Sequence, residues 1–223
     1  MEAVIRLENV SKAFGDRTIY KDVSLEIFKG MTVGFVGGNG SGKSVLFQLL
    51  TGLLPCDSGK VTVNGDTLGD QVDFPSNVGI LINDPGYIEY ISGYSNLKLL
   101  AEINNKISDK EIKESMKMVG LDSEDKTPVK KYSMGMKQKL GIAQAIMEEQ
   151  TIVILDEPYN ALDYKTNHEI TEILERLKKE GKTILLTSHQ HEYLEKLCDL
   201  IYCIHENKIV PFNDEYRRVY FGL

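Results

Sequence analysis

Apolar and polar residues alternate through Val4, Ile5, Arg6, Leu7, Glu8, Asn9 and Val10, which predicts a strand with one buried face. Val23, Ser24, Leu25, Glu26 and Ile27 repeat the period of two until Lys29 and Gly30 break it. Thr32, Val33, Gly34, Phe35 and Val36 read as a strand covered on both faces. They run into a glycine cluster and then a helix from Lys43 to about Gly52. Val61, Thr62 and Val63 followed by Asn64 and Gly65 predict a short strand and a tight turn.

From Ser92 to Glu149 the texture is helical. Ser108 and Glu111 frame a capping box ahead of Ile112, Met116 and Val119, and Gly120 closes that helix. Ser133 is placed to cap another helix carrying Leu140, Ala143 and Met147. Beyond Gln150 two short apolar runs return, Ile152 to Leu155 and Ile184 to Thr187, as in parallel strands buried on both faces. A charged helix from about Lys165 to Glu180, stopped by Gly181, separates them, and that order implies a right-handed crossover. Residues 201–204 and 209–210, around Glu206 and Asn207, predict a closing hairpin. The pattern predicts an α/β core, residues 1–83 and 151–223, interrupted by a helical insert over 84–150, with no separate second domain.

The chain has 223 residues, enough to bury a sizeable core. A net charge of -7 argues against a general grip on nucleic-acid phosphates, so no nucleic-acid partner is expected. Cys56, Cys198 and Cys203 form neither a disulfide framework nor a metal-ligand spacing, which suits a reducing compartment. No apolar run approaches the roughly 18 residues of a membrane span, and the first residues carry charges where a signal peptide needs apolar ones. A soluble, cytoplasmic chain that reaches a membrane only through a partner is expected.

Gly37, Gly38, Asn39, Gly40, Ser41, Gly42, Lys43 and Ser44 match G-x-x-x-x-G-K-[ST] between a strand and a helix. Glycines let backbone N–H groups turn inward around a phosphate, and the helix N-terminus adds positive potential. Lys43 supplies a charge to the β- and γ-phosphates, and the Ser44 hydroxyl coordinates Mg²⁺. Asp156 and Glu157 end the apolar run 152–155. Asp156 suits the metal, and Glu157, expected to point the other way along the strand, suits the attacking water. Together these features predict a P-loop NTPase binding ATP and Mg²⁺.

Tyr132, Ser133, Met134, Gly135, Met136, Lys137 and Gln138 precede the acidic pair at a helix start. Pro158, Asn160, Leu162 and Asp163 follow it, and His189 closes Thr187-Ser188-His189. In this order of motifs the chain resembles the nucleotide-binding subunits of ABC transporters over nearly its full length. The wording around Ser133, and Gly79 to Gly86, resembles the subgroup tied to bacitracin resistance and bacteriocin immunity. The resemblance implies a RecA-like P-loop NTPase core with a small antiparallel β subdomain and an inserted helical subdomain. It implies that Ser133 and Gly135 contact the γ-phosphate on a second copy, that His189 is the switch histidine, and that Phe14 stacks on adenine. Tyr132, Met134 and Met136 depart from the usual Leu-Ser-Gly-Gly-Gln wording. Val45 stands where threonine is common, removing a hydroxyl near the α-phosphate. Asn83 stands where the family has a metal-sensing glutamine or glutamate, so Asp84 is an alternative there.

The resemblance further implies an ATP-hydrolysing subunit attached peripherally to the inner face of the cell membrane through an integral membrane permease. Two ATPase subunits, as a homodimer or a heterodimer, would close on ATP, powering transport, by subgroup resemblance the export of a peptide or antimicrobial. A second reading is a soluble ABC-type ATPase serving as an assembly or scaffold module. A third is a nucleotide-binding module that does not hydrolyse, motivated by Asn83 and the altered signature. Tyr87, Tyr90 and Tyr94 suit either a groove that receives a partner's helix or a cover over the helical insert.

Overall fold

The computed structural model describes residues 2–82 and 86–221. In chain order, β1 (Ala3–Phe14), β2 (Arg17–Phe28), β3 (Thr32–Val36), α1 (Lys43–Leu50), β4 (Ser58–Val63), β5 (Asp66–Thr67) and β6 (Val78–Leu81) come first. The helices α2 (Gly93–Asn104), α3 (Asp109–Met118) and α4 (Met134–Ile146) follow. The chain then forms β7 (Ile152–Leu155), α5 (Tyr164–Lys179), β8 (Thr183–Thr187), α6 (His191–Leu197), β9 (Leu200–His205), β10 (Lys208–Pro211) and α7 (Asp214–Phe221).

An antiparallel sheet has the order β2-β1-β4-β5, and a second sheet the order β10-β9-β3-β8-β7-β6. In the second sheet β9, β3, β8, β7 and β6 are parallel, while β10 closes the edge as a hairpin with β9. β7 and β8 are neighbours with α5 between them in sequence, as the strand, helix, strand order requires.

Every residue of β3, β7 and β8 is buried, and strand alternation divides their side chains between two cores. Val153, Leu155, Ile184 and Leu186 join the cluster beneath the helical insert and α5. Ile152, Ile154, Val33, Phe35 and Leu185 join the cluster beneath α1 and the antiparallel sheet. Burying each such side chain contributes about 1.5–3 kcal/mol. With both faces covered, the carboxyl ends of the strands are left as the place where a ligand can approach. The neighbouring ends of β3, β8 and β7 present Gly37, Ser188 and Asp156 there.

The insert is fastened to the sheet by backbone contact. A Cβ on Gly79 of β6 would fall 1.7 Å from the carbonyl oxygen of Ala145 in α4. The capping box at Ser108 forms as predicted, with Glu111 Oε2 accepting from the Ser108 N–H at 2.6 Å. Ser133 caps α4, its hydroxyl accepting from the Met136 N–H at 3.2 Å. The sequence pattern did not indicate α6 and α7. α6 spans only seven residues; α7, of eight, begins at a local cap where Asn213 Oδ1 accepts from the Tyr216 N–H at 3.0 Å, and it docks where Tyr220 Oη lies 3.0 Å from His205 Nδ1.

Candidate ATP-binding and catalytic site

After β3 the backbone turns through Gly40 and Gly42 with φ of 73° and 112°, a region open to glycine at little cost. The turn is braced from β2. Tyr20 Oη donates to Gly42 O at 2.8 Å, and Arg17 Nη2 donates to Gly40 O at 2.6 Å. Lys43, the first residue of α1, is 8% exposed, and its Nζ donates to Gly37 O at 2.9 Å and Gly38 O at 3.3 Å. The neighbouring Ser44 Oγ donates to Asp156 Oδ2 at 2.5 Å, joining the glycine turn to the end of β7.

Asp156 is buried and held on its other oxygen by Thr187 Oγ1, which donates at 2.7 Å. The same hydroxyl accepts from the Glu157 N–H at 2.8 Å. Glu157 has φ of 51°, so strict alternation ends at Leu155. The expectation that Asp156 and Glu157 point to opposite sides is therefore corrected, and both carboxylates face one cleft. Glu157 Oε1 lies 4.0 Å from Lys43 Nζ and 3.2 Å from His189 Nε2. The His189 N–H donates to Oε2 at 3.2 Å. Oε1 is buried and receives no hydrogen bond of good geometry from the described residues.

Burial pushes the Glu157 carboxyl above the usual glutamate range, against the opposing pull of His189 and Lys43 and with the help of Asp156. Burial pushes Lys43 below the usual lysine range, while Glu157 and Asp156 oppose that shift. The cleft of about 520 Å³ collects Phe14, Asn39, Gly40, Gly42, Lys43, Ser44, Val45, Asp156, Glu157 and His189. Arg17 and Ile19 complete its wall, and no motif in the sequence points to either role. Gly38 and Ser41 line a smaller neighbouring cleft.

Ser133 and Gly135 are not among the residues that line this cleft. Ser133 is exposed at the start of α4, and a Cβ on Gly135 would lie 2.7 Å from Thr166 Cγ2 at the start of α5. Lys139 and Glu169 pair across the same two helices at 2.5 Å. The next residue of α5, Asn167, donates from Nδ2 to Gln190 Oε1 at 3.3 Å, beside His189. Tyr132 is buried, and its hydroxyl accepts from the Gly93 N–H at 3.3 Å. Asn83 and its alternative Asp84 lie outside the described residues. Tyr87 and Tyr94 pack against the core, while Tyr90 is exposed with the Lys130 ammonium 4.6 Å from its ring centroid.

Residues 20–160 match the family model described as ABC transporter. The chain belongs to the ABC transporter family. It is an ATP-binding subunit with ATPase chemistry, on an α/β P-loop NTPase fold. The matched span encloses the glycine turn, Ser133 and the acidic pair, and leaves Phe14 and His189 outside it. The chain is 39% identical over 88% of its length to the uncharacterized ABC transporter ATP-binding protein YybJ of Bacillus subtilis (strain 168), covering 90% of that protein. It is 37% identical to the lantibiotic transport ATP-binding protein SrtF of Streptococcus pyogenes, over 93% of this chain and 89% of SrtF. Against the bacitracin transport ATP-binding protein BcrA of Enterococcus faecalis the identity is 36%, over 94% of this chain and 69% of BcrA. Its fold matches the ATP-binding cassette MJ0796, solved as a dimer in a post-hydrolysis state with ADP and Pi. The TM-score is 0.81 at 23% identity, over 92% of this chain and 96% of the other. Among the described residues of this family member, no helix is long and apolar enough to cross a membrane.

Proposed function

We propose that this subunit is the ATP-driven engine of a multi-chain exporter, acting on a separate membrane permease and moving a peptide or antimicrobial. One observation carries the reading: Lys43, the Ser44–Asp156 pair, Glu157 and His189 converge on one cleft, while Ser133 and Gly135 stand apart at a helix start. Half of the groups that would surround a γ-phosphate are thus gathered, and the other half would serve a second copy. The relatives named for lantibiotic and bacitracin transport support the choice of cargo.

In this reading Phe14 stacks on the base, and the backbone N–H groups of residues 38–45 with Lys43 hold the phosphates. Glu157 accepts a proton from the water whose oxygen bonds to the γ-phosphorus, as the bond from that phosphorus to the ADP oxygen breaks. His189 orients the Glu157 carboxylate and offsets γ-phosphate charge. The donor set fits Mg²⁺: a hydroxyl and a carboxylate oxygen, hard oxygen donors, stand together at 2.5 Å. Ser44 and Asp156 would hold the ion, which supplies charge neutralisation on the phosphates. Ser133 and Gly135, with the N-terminus of α4, would face the γ-phosphate of the second copy.

The test is purification of the chain from its native membrane, followed by reconstitution in proteoliposomes with a labelled lantibiotic-type peptide. An integral membrane protein should co-purify, and peptide movement should require ATP and vanish in Glu157→Gln. Purification with soluble assembly factors and no membrane protein would overturn the reading.

A further inference from the structure

At the rim of the cleft the Phe14 side chain is half exposed, at 49%. A ring so placed at the end of a hairpin loses rotamer freedom only if something holds it. Asp57, the residue before β4, grips the three residues that lead to the ring. Its N–H donates to Ser11 O at 2.9 Å, its Oδ2 accepts from the Ala13 N–H at 2.7 Å, and its Oδ1 accepts from Lys12 Nζ at 2.6 Å. Lys12 is buried at 8% exposure, and its ammonium stands over the Phe14 ring, 5.4 Å from the centroid.

Burying an ammonium costs desolvation free energy that one ion pair offsets only in good geometry. A clasp needed for stability alone could have left its lysine in water, as the ion pair of Arg6 with Glu26 on the same hairpin does. Here the lysine is drawn in, and its charge is spent against an aromatic face. The hydrogen bond from Lys12, then that from Ala13, holds the Asp57 carboxyl below the usual range, so Asp57 is a carboxylate at neutral pH.

Resting on the reading of Phe14 as the base platform, we infer that Lys12 and Asp57 are positioning residues for nucleotide recognition. Asp57 fixes the backbone before the ring, and the Lys12 ammonium covers part of the ring and leaves the rest at the cleft wall for a purine. The cation draws π-electron density from the ring, which favours stacking with an electron-rich base. Ile19 and Val45 of the wall present apolar side chains that can pack on a base without reading its edge, and Arg17, opposite Phe14 in the hairpin, is engaged with Gly40 O.

The experiment compares equilibrium binding of ATP and of inorganic triphosphate, which has no base, to the full chain. Phe14→Ala should weaken ATP about two- to tenfold and leave triphosphate unchanged. Lys12→Met and Asp57→Asn should each weaken ATP within that range, spare triphosphate and leave kcat at saturating ATP unchanged. Lys12→Arg should retain affinity, since a guanidinium can both pair with Asp57 and stack. Lys12→Met added to Phe14→Ala should cost nothing further. Asp57→Asn keeps size and shape, so it decides the matter should Lys12→Met fail to fold. If Phe14→Ala binds ATP like wild type, the base-platform reading falls and the inference with it. If Phe14→Ala is weakened while Lys12→Met and Asp57→Asn are not, the platform stands and the inference is overturned. Equal losses for ATP and triphosphate would make the clasp a structural staple, which also overturns it.

Discussion

The imidazole Nε2 of His189 lies 3.2 Å from Oε1 of Glu157, and the His189 N–H donates to Oε2 at the same distance. One residue thus meets both oxygens: its backbone N–H donates to Oε2, and its ring stands beside Oε1 without a hydrogen bond of good geometry. The ring is about half exposed, so it can turn toward a phosphate while the backbone contact persists. A carboxylate held this way is oriented without being neutralised, which is what a base for water requires.

Glu157→Gln keeps the size and hydrogen bonding of that side chain and removes its basicity. ATP turnover should fall about 10²–10⁴-fold, with equilibrium ATP binding retained. Lys43→Ala should instead lose binding. Wild-type turnover in Glu157→Gln, measured at saturating ATP, would falsify the assignment of the base.

The pH profile of kcat/KM reports the free enzyme. Burial raises the Glu157 pKa, so the carboxylate is lost, and the rate with it, at a pH above the ordinary glutamate value of about 4.3. Burial lowers the Lys43 pKa, so its charge is lost below the ordinary value of about 10.4. Activity should therefore fall earlier than for free side chains on both limbs. An acid limb at the ordinary glutamate value would contradict the burial argument.

Dimer closure should depend on nucleotide and on α4. Glu157→Gln should sediment as a monomer alone and as a dimer with ATP. Adding Ser133→Arg places bulk and charge at the exposed start of α4 and should abolish the dimer. An ATP-dependent dimer of the double variant would rule out the head-to-tail arrangement.

Gly135→Ala should destabilise the fold by about 1–3 kcal/mol, because its Cβ would press on Thr166 Cγ2 at 2.7 Å. Thr166→Ser deletes that methyl and should restore most of the loss, read as melting temperature in the single and double variants. A Gly135→Ala chain that melts like wild type would mean that α4 and α5 yield freely at this contact.

Much of the site was legible because its chemistry is local. Residues 37–44 need a glycine-rich turn between strand and helix, and residues 152–157 need an apolar strand ending in acid, so each announces itself in a few consecutive letters. The braces were not legible, because they come from distant chain. Tyr20 reaches Gly42, Arg17 reaches Gly40, and Asp57 reaches Lys12, with nothing in either segment to announce the other. The direction of Glu157 was misread for a related reason: alternation holds only while the strand continues, and φ of 51° ends it. In the fold, buried runs such as Ile152–Leu155 gave the strands. α7 had local signs, Asn213 before Asp214 and Glu215 and then Tyr216, Val219 and Tyr220 at helical spacing, but its docking through Tyr220 on His205 is tertiary and was not legible.

The start of α5 touches both ends of the chemistry at once. Thr166 lies against Gly135, and Asn167 holds Gln190 next to His189. In the proposed pair each chain lends its Ser133 end to one nucleotide compartment and its His189 end to the other. In that pair a displacement at the start of α5 would reach both compartments, through Thr166 on one side and Asn167 on the other. A pair built from two different chains would inherit unequal timing from one substitution at this helix start.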